Sequence, residues 1–295
     1  MKSDETYSPG MPRRRAEHIV RGVDYRVNEW GDADRPLLVM LHGFGDTGSS
    51  FQFFVDALSK EWFVIAPDWR GFGETRYRAR NYWFPDYIAD LDAILDFYSA
   101  EHPVRLVGHS MGANIAGLYA GILPERVAAF VNIEGFGLAE SDPAKAPAHY
   151  RRWLERGRLV APYSTYTDFD ELAQRILVRS PRMGRDKALY VAGLWAAQVG
   201  AGKVELRADP AHRLPNAVQY RRAEAQACWQ QITAPMLVVK GEDSNFFSRA
   251  VDAAGPDELV LFTEAETVVI PGAGHMVHFE QPGKLAAAVE DFLVV

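Results

Sequence analysis

Ser110 stands in Gly108-His109-Ser110-Met111-Gly112, after a run ending Leu106-Val107 and before the helix-compatible Ala113-Asn114-Ile115-Ala116-Gly117. That is the pattern of a strand, a sharp turn and a helix. A residue held on so tight an elbow leaves no room for side chains two positions to either side, which is why both flanking positions are glycine. The serine is thereby presented at the edge of a sheet. The helix behind it aims its first N–H groups, and the positive end of its dipole, at the place where negative charge would develop. A serine so placed could attack a carbonyl carbon, provided that a base takes its proton. A carboxylate is available nearby in the pattern: Glu134 ends the apolar run Val127–Ile133 and is followed by Gly135. It demands a partner there, because burying it unpaired would cost on the order of several kcal/mol.

The elements that must position these groups follow from the alternation of short β-branched runs with longer amphipathic stretches. Strands are expected at Leu37–Leu41, Phe63–Pro67, Val104–Val107, Val127–Ile133, Pro235–Lys240 and Thr267–Ile270, with Val23–Trp30 as an antiparallel edge. Helices are expected at Ser49–Leu58, Pro85–Ala100, Gly112–Leu123 and Pro282–Leu293. Such βα units build a mostly parallel, twisted sheet flanked by helices. Between Leu138 and Gln231 the alternation stops, and the chain reads as helical pieces broken by six prolines. It is too long for a plain loop, and the sheet pattern resumes directly after it. The expected organisation is a loosely ordered leader over 1–22, one α/β core made of 23–137 and 232–295, and an inserted helical cap over 138–231.

With Leu41-His42-Gly43-Phe44-Gly45, Asp68-Trp69-Arg70-Gly71-Phe72-Gly73 and Gly272-Ala273-Gly274-His275 added to the serine elbow, the chain resembles the α/β-hydrolase family from about Val23 to Val295. The resemblance implies that fold, and a serine esterase- or lipase-like hydrolase with a helical cap. It assigns the general base to His275 rather than to His278, three residues on. It also implies that the backbone N–H groups of Phe44 and Met111 form the oxyanion hole. Asp68 and Arg70 are expected to pair locally, and His42 and His109 to be structural.

The acid is where the chain departs from the family's commoner pattern, because the usual aspartate position is occupied by Ser244. Asp243 is one residue early, Glu242 two, and Glu134 stands on the strand beside the elbow, where some relatives place their acid. Glu134 is the first choice and Asp243 the second. The expectation is a Glu134 oxygen within about 2.6–3.2 Å of His275 Nδ1.

Serine at the elbow points to acyl transfer on an ester, thioester or lactone, with no metal and no organic cofactor implied. The aromatics of 138–231 suggest an apolar acyl substrate. A carbon–carbon bond hydrolase with the same triad is the enzymatic alternative, and a non-catalytic ligand receptor on the same fold is the alternative of another class. With 32 basic and 39 acidic residues, a formal charge of −7, nucleic acid is not an expected partner. The opening residues carry no apolar targeting segment, and no run is long enough to span a membrane, so a cytoplasmic location is expected. The single cysteine, Cys228, excludes an internal disulfide and is expected to be a small core residue. A homo-oligomer is left open.

Overall fold

The computed structural model describes residues 6–158, 160–254, 262 and 265–293. Eight strands form one sheet: β1 (Arg14–Val20), β2 (Val23–Trp30), β3 (Leu37–Leu41), β4 (Phe63–Pro67), β5 (Val104–His109), β6 (Val127–Ile133), β9 (Met236–Gly241) and β10 (Glu266–Ile270). Their spatial order is β1-β2-β4-β3-β5-β6-β9-β10. The pairs β1–β2 and β2–β4 are antiparallel, and all the others are parallel. Strands β3, β5 and β6 are buried on both faces, which explains their unbroken apolar runs. One face is covered by the helices Phe84–Ser99, Met111–Ile122 and Arg222–Trp229 through Leu91, Leu95, Ile115 and Trp229. The other carries Phe51, Phe54, Leu285 and Val289 from the turns after β3 and the helix Pro282–Phe292.

Two expectations about the start of the chain are corrected. Residues 1–5 of the expected leader lie outside the described residues, but the rest is not loose. The Asp56 carboxylate gathers the Tyr7 hydroxyl and the N–H groups of Gly10 and Met11. Arg14–Val20 is a strand, so β1, not β2, is the edge. Its inward positions are Ala16, His18 and Val20, too weakly apolar to reveal the period of two in the sequence. Arg21 and Gly22 close this hairpin with φ of 48° and 80°, the left-handed backbone that a two-residue turn of this hand requires.

The segment 138–231 holds helices Ala146–Gly157, Phe169–Arg179 and Arg185–Trp195. It also holds a two-stranded hairpin, β7 (Ala196–Gly200) with β8 (Lys203–Leu206), which the helical reading missed. Leu172, Ile176, Met183 and Val191 form a small core of their own, seated on Phe53 and Phe279 of the α/β unit. The last helix of the segment, Arg222–Trp229, lies instead against Met111–Ile122, where a Cβ on Gly121 would sit 1.8 Å from the Cys228 carbonyl oxygen. It belongs to the helical layer on the sheet, and Cys228 is half-buried in that seam rather than in the core. No helix among the described residues is long and apolar enough to cross a membrane.

Candidate active site

The loop from β5 into the helix Met111–Ile122 forces Ser110 to φ 53° and ψ −113°, a conformation costly for a residue with a side chain. The surroundings hold it there: Ser110 N–H donates to the Ile133 carbonyl at 2.8 Å, and Asn114 N–H donates to the Ser110 carbonyl at 3.1 Å. The flanking glycines are required by contact. A Cβ on Gly112 would lie 2.1 Å from Leu41 O, and one on Gly108 would lie 2.5 Å from Ala113 Cα. On the next strand Glu134 also takes a positive φ, 58°. Its turn is closed by Asn132, which accepts from Gly135 N–H at 2.9 Å and donates to Gly135 O at 2.7 Å. Two strained turns thus end neighbouring parallel strands side by side.

His275 spans them. Its Nε2 lies 3.1 Å from Ser110 Oγ and its Nδ1 lies 3.3 Å from Glu134 Oε2, slightly beyond the expected range. A carboxylate only accepts, so the Nδ1–H donates to Glu134 and the bare Nε2 can accept from the serine hydroxyl. The Glu134 side chain is wholly buried, and Gly241 N–H donates to its Oε1 at 2.8 Å. Ser244 Oγ donates to Oε2, at the position where the family's commoner pattern has an aspartate. Phe246 stacks flat on the imidazole, with ring centroids 3.6 Å apart and an angle of 9°. Neither role was legible beforehand, although the vacated aspartate position was a signal for Ser244.

Asp243 and Glu242 do not reach the imidazole. Asp243 is exposed and pairs with Arg182, while Glu242 accepts from Gly272 N–H at 2.9 Å. His275, not His278, is the imidazole bonded to Ser110; His278 meets Asp46, with Nε2 to Oδ2 at 3.2 Å. Asp46 also accepts from Trp195 Nε1 at 2.8 Å. Asp46, His109 and His278 are all buried, with potential ligand atoms within 4.8 Å of one another. The bonds Asp46 makes within the protein already brace the site. His109 Nε2 donates to the His275 carbonyl at 2.9 Å and so holds the loop bearing the imidazole; burial drives the His109 pKa well below its ordinary value, keeping the ring neutral. His42 is likewise lowered by burial; its Nδ1–H donates to Gly43 O and its Nε2 accepts from Trp69 N–H. The expected Asp68–Arg70 pair is absent. Asp68 accepts from the N–H groups of Gly48 and Glu74, and Arg70 forms a two-pronged pair with buried Asp90.

Met111 opens its helix, so its N–H has no carbonyl one turn earlier to bond. The turn carrying Phe44 lies directly over the elbow, where a Cβ on Gly43 would be 3.2 Å from Ser110 Cβ. Ser110 and His275 open into a cavity of about 860 Å³, which Phe44 and Phe72 line from the α/β unit and Tyr166, Leu172, Ile176 and Trp195 line from 138–231.

Residues 36–282 match the family model described as the alpha/beta hydrolase fold, and the chain belongs to that family. It is 23% identical over 291 residues to a serine hydrolase-like protein of Danio rerio, covering 92% of this chain and 85% of that one. It is 26% identical over 271 residues to the 2-(acetamidomethylene)succinate hydrolase of Mesorhizobium japonicum, covering 92% of each. Among solved structures, the thioesterase domain from the curacin biosynthetic pathway superposes with a TM-score of 0.81 at 20% identity, covering 95% of this chain and 99% of that domain.

Proposed function

We propose that the protein is a serine hydrolase that cleaves an ester, thioester or lactone through an acyl-enzyme on Ser110. The observation that carries this reading is the unbroken chain from Ser110 Oγ through the His275 ring to the buried Glu134 carboxylate, opening into a cavity. Ser110 Oγ attacks the carbonyl carbon while its proton passes to His275 Nε2. The resulting oxyanion accepts from the N–H groups of Phe44 and Met111, and the Glu134 carboxylate stabilises the imidazolium. Collapse expels the alcohol or thiol, which takes the proton from Nε2. Water then repeats the sequence on the acyl-enzyme, releasing the acid and free Ser110. Family membership and relatives named as hydrolases support the reaction class. The wall that 138–231 contributes to the cavity supports its role as a substrate-selecting cap.

The test is labelling of the purified protein with a fluorophosphonate, followed by a panel of 4-nitrophenyl esters of increasing chain length. Rapid, stoichiometric labelling at Ser110 and turnover of the panel are expected. An unlabelled protein with a normal fold would leave a non-catalytic receptor as the reading.

A further inference from the structure

We propose that the substrate carries an anionic group away from its scissile carbonyl and that Arg175 and Arg179 bind it. The proposal rests on the acyl-transfer reading and extends it to substrate class.

The chain carries a net charge of −7, yet four arginines, 175, 179, 207 and 213, line the cavity over Ser110. The one carboxylate among the described residues of that wall, Asp46, is occupied by His278, Trp195 and the Thr47 N–H. Arg207 is taken by Glu74 and the Ala196 carbonyl, and Arg213 by the carbonyls of Ala161 and Pro162 and the Tyr163 ring. Arg175 and Arg179 differ. They stand four apart on the helix Phe169–Arg179, exposed at the cavity wall, and among the described residues neither side chain has an ion pair or hydrogen bond.

The acids that could have neutralised them are committed elsewhere. Asp168 caps the helix, Asp170 pairs with Arg185, and Glu171 accepts from Thr167. Two like charges one turn apart destabilise a helix, and a bound anion relieves that repulsion. The guanidinium fork suits a carboxylate or a phosphate. Leu172 and Ile176, on the same helix, line the same cavity. A ligand with an apolar body and an anionic end matches this wall better than the wholly apolar acyl group suggested by the aromatics.

The anion could be a carboxylate on the acyl chain or a phosphate on the leaving group, and two matched pairs separate these sources. The first is 4-nitrophenyl hydrogen glutarate against 4-nitrophenyl valerate; the second is the valeryl thioester of phosphopantetheine against that of pantetheine. The expected result is that kcat/KM favours the anionic member of one pair by about 10-fold or more, as charge-assisted bonds at a solvated rim allow. That preference should shrink about 10-fold in R175Q/R179Q, survive largely in R175K/R179K, and weaken in 0.5 M salt. Equal rates within both pairs, or equal losses on charged and neutral members in R175Q/R179Q, would overturn the proposal. If no compound turns over and Ser110 is not labelled, the acyl-transfer reading fails. Calorimetric titration with glutarate and with phosphopantetheine then decides the anion site alone: saturable binding abolished in R175Q/R179Q supports it, and no binding sinks it.

Discussion

Two carboxylates follow neighbouring parallel strands of the sheet, Glu134 directly after β6 and Asp243 two residues after β9, and they have opposite surroundings. Glu134 is wholly buried, receives Gly241 N–H and Ser244 Oγ, and lies 3.3 Å from the imidazole. Asp243 is 44% exposed in its side chain and reaches out to Arg182. The backbone decides between them. Glu134 is turned inward by its own left-handed backbone, locked by Asn132, whereas the Asp243 N–H donates to Ala273 O and its side chain turns to Arg182 of 138–231. Burial and three donors fix the Glu134 charge in place, whereas an exposed ion pair such as Arg182–Asp243 contributes only about 0–1 kcal/mol. Proximity in sequence to the expected position is a poor guide by comparison.

The largest effect that bears on this contrast is the baseline set by Ser110→Ala, which should lower turnover by roughly 10⁵–10⁶-fold and abolish fluorophosphonate labelling without changing the melting temperature by more than a few degrees. Retained turnover would remove the basis for comparing the two acids at all. Next, Glu134→Gln should cost on the order of 10⁴ in kcat, and Asp243→Asn less than about 3-fold. The reverse ranking, measured on one ester, would break the comparison.

Smaller substitutions sharpen it. Ser244→Ala removes a donor to Glu134 and should lower kcat about 10-fold, as losing one bond to a charged group allows. In a Glu134→Gln background, Ser244→Asp returns a carboxylate to the position it holds in the family's commoner pattern and should recover at least about 10-fold of the lost rate. No recovery would mean that β9 holds residue 244 too far from the imidazole.

The mildest expectation separates fold from chemistry at acid pH. Burial lowers the His212 pKa from 6.5 to about 4. The ring is stacked between Phe72 and Tyr82, with centroids at 3.8 and 3.5 Å. The unfolded chain therefore binds the extra proton between those values. The stability that the neutral ring contributes is fully present above about pH 6.5 and is lost as pH falls toward 4. Melting temperature should decline across that window and decline less in His212→Phe, which keeps a ring in the stack. Identical pH dependence in the two proteins would refute this assignment.

The sequence by itself determined the six inner strands, the elbow with its two glycines and the long helices, because each is written in a contiguous pattern whose cause is local. The elbow glycines are needed by backbone a few residues away and by Leu41, so their spacing alone announced a tight turn. What only the tertiary structure decided are pairings between residues far apart along the chain. The Ser244–Glu134 bond spans 110 residues and the His275–Glu134 contact 141, and no periodicity records either. For the same reason the edge strand Arg14–Val20, the seating of Arg222–Trp229 on the sheet's helical layer and the lack of a side-chain partner for Arg175 and Arg179 among the described residues became visible only once their neighbours were in place. Whether a charge is spent or free depends on which opposite charge the fold brings within a few ångströms, and that is set by packing rather than by sequence order.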